Sequence, residues 1–467
     1  MRYPKTILIL ILLLFCLSTR LLLFATVKPW EPTVRDRMIL KNDALGYHQL
    51  AVSLIEDQRF AFKKGGIPDI LRTPLYPLLI SLVYTIFGSE SPWIVLLVQI
   101  LIDSASCLIL FFLILKFLNL RVAFYASLFY ALDPFLILYS VTLLSDIFFV
   151  FLCLIASYWF SEAIQRKFER SAMYVLLSAL FFGLATLVRP VSQYIPLIII
   201  LLLFVVLKKE VKKACKLALL FLIFFIITLS PWLIRNFNTF GALSLSTSGS
   251  YNMIALYVGP MEMERRGQSF NEVQEALIRE VDALIVKEGL NPRELNELQQ
   301  ARYWKKLAIQ YIARDPISFG KHYLLGIIHS FANLGTGPYG DLLQLSKKES
   351  KFEIKAYPNL LELLKRWLSQ KTAQEITIGI GVAFFLLITY TPLIIGLIVS
   401  WWKDRKNIFL WFSLVMALYF IFITGTAGLA RFKMPAIPFY LIFVGIGLSY
   451  IFRTRDQSKF FFKKRSG

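Results

Sequence analysis

Long apolar runs separated by short, mostly basic turns set the pattern of the chain. Runs close to twenty residues cover about 6–27, 92–116, 121–141, 145–164, 171–189, 190–207, 214–235, 375–402, 407–425 and 432–452. Each matches the roughly 30 Å hydrocarbon core that a helix of about 20 residues spans. A membrane β-barrel would instead alternate over strands of about ten residues, and these runs are continuous. The pattern predicts an all-α polytopic membrane protein with about ten transmembrane helices, in a range of roughly 9–13.

Between these runs lie three segments of a different kind. Residues 28–73 are polar, mixed in charge and punctuated by Pro29, Pro32, Gly65, Gly66 and Pro68. Within them Leu45, His48 or Gln49, Val52 and Ile55 or Leu54 recur at helical spacing, which predicts a short helix lying along the membrane surface with Asp43 near its N-terminus. The apolar stretch 74–88 is too short for an ordinary span and reads as interfacial. Residues 236–374 carry two amphipathic patterns, one through Phe270, Val273, Leu277, Val281, Leu284 and Ile285, the other through Leu295, Leu298, Ala301, Leu307, Ala308 and Tyr311. Gly289 and Pro292 separate them, and Asp315-Pro316 ends the second. The run 317–334 is expected to be interfacial or re-entrant. The chain thus divides into an N-terminal membrane module, 1–235, with its outer loop 28–91. An outer region, 236–374, and a C-terminal membrane module with a basic tail, 375–467, complete it.

Composition changes this picture little, because 57% of the 467 residues are hydrophobic and 15% aromatic. The net charge of +21 matters more. In a soluble protein it would suggest nucleic acid. Here, threading the ten runs alternately gathers 21 Lys/Arg and only four acids on one face, in 1–5, 116–121, 165–170, 208–216, 403–406 and 453–467. That is the positive-inside asymmetry. It predicts cytoplasmic termini in a plasma (inner) membrane, and it leaves no case for a nucleic-acid partner. Counting 74–88 as a full span would invert every later loop. The four cysteines, Cys16, Cys107, Cys153 and Cys215, show no CxxC pairing, which argues against a disulfide framework or structural zinc.

The same threading brings Asp43, Arg72, Asp146, Arg189, Arg235 and Arg431 to the outer face. Arginine at a helix centre costs about 2.5–3.5 kcal/mol on the insertion scale, so these need a reason. An anionic ligand at the membrane edge would offset the cost, and the planar guanidinium fork suits phosphate. Plainer alternatives exist for each residue. An arginine at a helix end can snorkel, Arg189 or Arg235 can pair with Asp146 or Asp133, and Asp43 can cap a helix. Tyr47 and Tyr76 can belong to an aromatic belt. His48, His322 and His329 read as interfacial polar residues. Asp103, within a span, has no evident partner. Convergence on one face is what favours a site.

The motifs resemble those of the GT-C superfamily of integral-membrane glycosyltransferases, in the branch of protein O-mannosyltransferases and the bacterial lipid A aminoarabinose transferase. They are Asp43-Ala44-Leu45-Gly46-Tyr47, Arg72-Thr73-Pro74-Leu75-Tyr76-Pro77, Ala131-Leu132-Asp133-Pro134-Phe135 leading to Ser145-Asp146, Gly183-Leu184-Ala185 to Arg189-Pro190, Pro231-Trp232-Leu233-Ile234-Arg235-Asn236, Tyr251-Asn252 and Arg431-Phe432-Lys433-Met434-Pro435. The resemblance covers roughly 1–260 and 375–452. It implies a GT-C fold, a catalytic acid at Asp43, a second acid at Asp146 and a phosphate-contacting cation at Arg72. The implied reaction moves a hexosyl or pentosyl unit from a polyprenyl phosphate to a hydroxyl of a glycan, lipid or protein, with inversion and Asp43 as general base. Tyr47, Tyr76, Arg189, Arg235, Asn252 and Arg431 complete the expected substrate-binding set. No metal ligand is assigned; a divalent metal at Asp146 stays open beside hydrogen-bond and ion-pair roles. The rival readings are a lipid-linked-sugar flippase or transporter, a surface-polysaccharide ligase or polymerase, and a non-catalytic scaffold.

Overall fold

The computed structural model describes residues 4–166, 171–345, 369, 371–423 and 428–452. The basic tail 453–467, most of the basic turn 165–170 and most of the end of the outer region lie outside the described residues.

The described chain is helical, with an isolated bridge between Ala61 and Pro68. Helix α1 (Lys5–Val27) leads to α2 (Pro32–Val34) and then α3 (Asp43–Asp57). Next come α4 (Leu75–Phe87), α5 (Pro92–Phe117), α6 (Leu120–Leu132), α7 (Pro134–Ser140), α8 (Asp146–Gln165) and α9 (Ala172–Val188). After a 3-10 turn at Pro190–Tyr194 follow α10 (Ile195–Val206) and α11 (Val211–Phe240). The outer region holds α12 (Ser248–Asn252), α13 (Gly259–Arg266), α14 (Phe270–Lys287), α15 (Glu297–Arg314), α16 (Pro316–Ala332) and α17 (Thr336–Leu342). The chain closes with α18 (Ala373–Asp404), α19 (Ile408–Ile423), a 3-10 segment at Ala430–Ala436, and α20 (Ile437–Ile451).

Every one of the ten apolar runs forms helix, but they differ in reach. Six of these helices are long and apolar enough to cross a membrane alone, and the bent pair α6–α7 makes a seventh. The bend of 53° falls at Asp133-Pro134. Asp133 caps α7 by accepting from the backbone N–H of Phe135 and Leu136, and Pro134 starts the new helix. The other three are shorter, at Ala172–Val188, Pro190–Val206 and Ile408–Ile423. The first two were expected as adjoining runs; Pro190 holds Arg189 extended and separates them. Residues 74–88 yield the short α4.

The α3 helix forms where expected, but its buried stripe is Ala44, Tyr47, Leu50 and Ala51. Leu45 and Ile55 are exposed.

The C-terminal module packs through α20, which is buried from Ile437 to Ser449 against α18, α6 and α19. A Cβ at Gly396 of α18 would collide with the Phe443 carbonyl, and one at Gly447 with the Pro392 carbonyl. Such small residues let membrane helices approach backbone to backbone.

Asp103 is not without a partner. Arg20 of α1 reaches it at 2.8 Å, and both side chains are fully buried. Tyr130 Oη donates to the other carboxylate oxygen at 2.6 Å, and Arg20 also donates to the Tyr130 and Ala131 carbonyls. The pair ties α1 to α5 and α6 inside the bundle.

The outer region has a core of its own. Ile254, Val258, Met261, Val273, Leu277, Val281, Ile285 and Leu307 form a cluster distinct from the membrane core. Helices α14 and α15 both start on capping boxes, Ser269/Glu272 and Asn296/Gln299.

Candidate active site

Five charged side chains from five places in the sequence meet at one end of the bundle. Asp43 sits at the first position of α3, not at its N-cap, so its carboxylate is available for other contacts. Asp146 opens α8, where the positive end of the helix favours a carboxylate. Arg189 follows α9, and the proline after it keeps its backbone extended, which turns the side chain back toward α8. Arg431 lies in the 3-10 segment before α20. Arg72 precedes α4, and the next residue, Thr73, donates to the Val188 carbonyl at 2.8 Å. That bond pins the Arg72 loop beside the end of α9 and hence beside Arg189.

These groups form a continuous chain of ion pairs. Arg72 Nη2 contacts Asp43 Oδ1 at 3.2 Å. Arg431 Nη1 contacts Asp43 Oδ2 at 3.1 Å, and Arg431 Nε contacts Asp146 Oδ2 at 2.7 Å. Arg189 Nη1 pairs with Asp146 Oδ1. Three guanidiniums therefore face two carboxylates, leaving one excess positive charge.

The two carboxylates differ sharply in access. The Asp146 side chain is fully buried, whereas that of Asp43 is 52% exposed. Partial desolvation opposes ionisation of Asp43, but Arg431, Arg72 and Arg189 outweigh it and hold its pKa below the usual carboxylate value. Asp43 is thus an ionised, reachable carboxylate; Asp146 is an internal counterion that aligns two arginines.

Aromatic rings floor the site. The Arg72 guanidinium lies over Tyr47 at 5.1 Å and over Phe62 at 5.3 Å. Tyr47 meets Tyr76 edge to face at 4.8 Å, and its hydroxyl is 3.2 Å from Ser145 Oγ. Tyr76 is fully buried with its hydroxyl bonded to Gln99, so it supports Tyr47 rather than facing the opening. Gly46 matters for space. A Cβ there would stand 2.8 Å from Arg72 Cζ and 2.9 Å from Nη2.

Two of the expected residues stand apart from the cluster. Arg235 donates to the Asp69 carbonyl and to Asn236 Oδ1, both at 2.8 Å, and to the Phe60 carbonyl at 3.3 Å. Its guanidinium lies 4.7 Å from the centre of the Trp232 ring. It anchors the loop that carries Arg72. Asn252 ends the short α12 and is half-buried. Its neighbourhood joins the site indirectly, because Thr247 N–H donates to the Ile70 carbonyl at 3.1 Å and Ser246 Oγ to the Leu71 carbonyl. His48 lies outside the cluster with Nδ1 2.9 Å from Tyr84 Oη, and His322 pairs with Glu264 at 2.7 Å.

Sequence reasoning missed Ser145, Gln99 and Phe62 as supports. Ser145 adjoined a named aspartate; Gln99, a polar residue within an apolar run, was the other available signal. Both cluster carboxylates are engaged by guanidiniums. Among the described residues no three His, Cys, Asp or Glu side chains stand together. This donor set does not fit a divalent metal.

The described architecture matches solved structures across nearly all of its length. The archaeal oligosaccharyltransferase AglB from Archaeoglobus fulgidus, in complex with an inhibitory peptide and a dolichol-phosphate, aligns with TM-score 0.53 at 13% identity over 95% of this chain. The fold is the GT-C fold. A second structure of the A. fulgidus enzyme, tethered to an acceptor peptide, gives TM-score 0.55 at 14% identity over 95% of the chain. ArnT from Cupriavidus metallidurans bound to undecaprenyl phosphate gives TM-score 0.44 at 11% identity, covering 94% of this chain and 77% of that one. The GT-C chain described here spans 50% and 49% of the length of the two oligosaccharyltransferase structures. Residues 71–234 match the dolichyl-phosphate-mannose-protein mannosyltransferase family, a stretch that includes Arg72, Asp146 and Arg189. No curated protein matches the chain.

Proposed function

We propose that this GT-C protein is a glycosyltransferase that moves a sugar from a polyprenyl phosphate to a hydroxyl acceptor at the outer face of the plasma membrane. The observation that carries the reading is the ion-pair chain from Arg72 through Asp43, Arg431 and Asp146 to Arg189. Its one excess positive charge complements the single negative charge of a polyprenyl-phosphate sugar, a phosphodiester. The match of residues 71–234 to a dolichyl-phosphate-mannose-dependent family supports that donor class. The dolichol-phosphate in the AglB complex supports a lipid phosphate as a ligand of this fold.

In the reaction, the acceptor oxygen attacks C1 of the sugar as the bond from C1 to the phosphate oxygen breaks. Asp43 accepts the acceptor proton; it is the one carboxylate of the cluster that is both ionised and reachable. The departing polyprenyl phosphate gains a second negative charge. Arg72, Arg189 and Arg431 are placed to stabilise it without moving, which is the arrangement that favours a transition state over a ground state. A single displacement inverts the configuration at C1. Asp146 holds Arg189 and Arg431 in register and does not touch the reacting atoms. Tyr47 and Asn252 remain candidates for contacts to the sugar.

The test uses the purified chain in liposomes with polyprenyl-phosphate sugars and a panel of glycan, lipid and peptide acceptors. Wild type is expected to transfer, and Asp43→Asn to lose at least about a hundredfold, the lower end of general-base contributions. Undiminished transfer by Asp43→Asn would remove the base role. Movement of the donor across the bilayer without any transfer would replace the enzyme reading with a flippase.

A further inference from the structure

Lys433 lies two residues beyond Arg431 and has no part in the proposed reaction. It is 1% exposed, whereas the Arg431 side chain is 16% exposed. Burying an ammonium costs far more than burying an apolar side chain of similar length, so the fold alone does not call for lysine at this position. Its Nζ stands 4.0 Å from the centre of the Phe135 ring, 5.8 Å from that of Phe331 and 3.4 Å from Tyr390 Oη. The Tyr390 hydroxyl donates its own proton to the Phe331 carbonyl at 2.9 Å, which leaves its oxygen to accept from the ammonium. A desolvated cation over an aromatic face is held more firmly than an exposed one.

The socket is built on elements that frame the site. Asp133 Oδ1 accepts from Phe135 N–H at 2.9 Å and from Leu136 N–H at 3.1 Å, and Tyr339 Oη donates to the Pro134 carbonyl at 2.6 Å. These bonds fix the first turn of α7, and the chain beyond α7 leads straight to Asp146 at the start of α8. Tyr390 and Phe331 supply the other walls, from α18 and α16. Arg431, Phe432 and Lys433 are consecutive in the 3-10 segment Ala430–Ala436. A 3-10 helix has about three residues per turn, so the three side chains leave it about 120° apart. Arg431 turns to Asp43 and Asp146, Phe432 places its ring centre 6.0 Å from Arg189 Cζ, and Lys433 enters the socket. The backbone restrains the segment little. Pro435 within it has no N–H, and 3-10 hydrogen bonds are poorer than α-helical ones.

We propose that Lys433 is a positioning residue for Arg431. Seated against Phe135, Tyr390 and Phe331, it fixes the rotation of the 3-10 segment about its own axis. That rotation is what lets one guanidinium reach both carboxylates. The role rests on the transferase reading above, in which Arg431 stabilises the departing phosphate and is bonded to the base Asp43. Buried as it is, Lys433 does not meet the donor and acts through Arg431.

The experiment follows two readouts on the full chain in liposomes, for wild type, Lys433→Met and Phe135→Leu. The first variant keeps the length and removes the charge; the second keeps the charge and removes the ring it rests on. Both are expected to lower kcat by about ten- to a hundredfold, the cost of a misplacement near 1 Å. The donor KM is expected to stay within about twofold, as when an interaction made only in the transition state is lost. In an Arg431→Lys background, Lys433→Met is expected to add little further loss, whereas independent roles would multiply the two losses. The second readout is amide hydrogen exchange. Both variants are expected to quicken it across 430–436 and to leave 437–451 as protected as in wild type. Wild-type kcat in folded Lys433→Met, a rise confined to KM, multiplying losses, or unchanged exchange across 430–436 each overturn the proposal. So does a loss in Lys433→Met that Phe135→Leu does not share, because the charge would then act at a distance. If either variant does not fold, Tyr390→Phe removes only the oxygen facing Nζ and is held to the same two outcomes. If wild type performs no transfer, the transferase reading fails, and the exchange still decides whether Lys433 holds the Arg431 segment.

Discussion

Replacing Gly46 by alanine separates the geometry of the site from the stability of the fold. The added Cβ would stand 2.8 Å from Arg72 Cζ. Carbon atoms in contact prefer about 3.5–4.0 Å, so the guanidinium must withdraw by about 1 Å. It cannot do so and keep its 3.2 Å bond to Asp43 together with its stacking on Tyr47 and Phe62. The far end of a long side chain yields cheaply, and alanine in a helix is favoured over glycine by about 1 kcal/mol. Gly46→Ala is therefore expected to unfold at the wild-type temperature or slightly above it. Its kcat/KM for the lipid donor is expected to fall by about ten- to a hundredfold, since a 1 Å misplacement can cost a hundredfold. That range corresponds to about 1.4–2.7 kcal/mol of lost transition-state stabilisation. Arg72→Lys is the companion variant. It keeps the charge, loses the planar fork and should resemble Gly46→Ala in kinetics. Wild-type kinetics in Gly46→Ala, at wild-type stability, would refute the assignment of Arg72 to the donor phosphate.

Asp146→Asn removes the counterion shared by Arg189 and Arg431, and it is expected to destabilise the protein by about 3–5 kcal/mol in detergent unfolding, as for any broken buried pair. Arg20→Met leaves Asp103 charged in the bundle and should cost a similar amount, about 3–5 kcal/mol, whereas the double variant Arg20→Met/Asp103→Leu should recover most of it. Arg235→Gln should lower the unfolding temperature and raise protease cleavage within 58–73; a loss of donor affinity at unchanged loop protection would return Arg235 to the phosphate-binding set. The Asp43 pKa is lowered, so its ion pairs contribute stability that is present above the usual carboxylate value and is lost as pH falls through the lower folded value. Asp43→Asn should lack that acid-side loss in a pH series of unfolding temperatures.

Hydropathy located the ten long helical runs of the membrane modules because length and apolarity are local properties of the sequence. It could not show which runs fall short of a full span. The break between α9 and α10 was visible as Arg189-Pro190, yet two adjoining apolar runs look alike whether they turn in lipid or against protein. The face of α3 that packs on the protein was hidden for a related reason. In water an aliphatic stripe marks the buried side, but in a membrane protein small residues such as Gly46 and Ala51 mark close packing, while Leu45 and Ile55 are left exposed on the structure's surface. Arg20 escaped notice because one charge within twenty apolar residues barely alters a hydropathy window. Its partner Asp103 lies 83 positions away, beyond any local signal.

The site was legible to the extent that topology is legible. Alternating the spans by charge put Asp43, Arg72, Asp146, Arg189 and Arg431 at one level, and five groups restricted to one level of one bundle had few ways to avoid each other. Level alone could not separate Arg235 from that set, because the threading assigns it the same level. Azimuth depends on which helices are neighbours. Here α11 packs on α9 and turns Arg235 toward the Asp69 loop rather than toward α8. The same limit hid the division of labour between the two acids. Both were placed at the outer edge by the same rule, and only the packing around α8 makes Asp146 wholly buried while Asp43 remains half open. A pair of like groups at one membrane depth therefore acquires distinct chemistry from what covers each of them, and Arg431, bonded to both, is the residue through which a change at one carboxylate reaches the other.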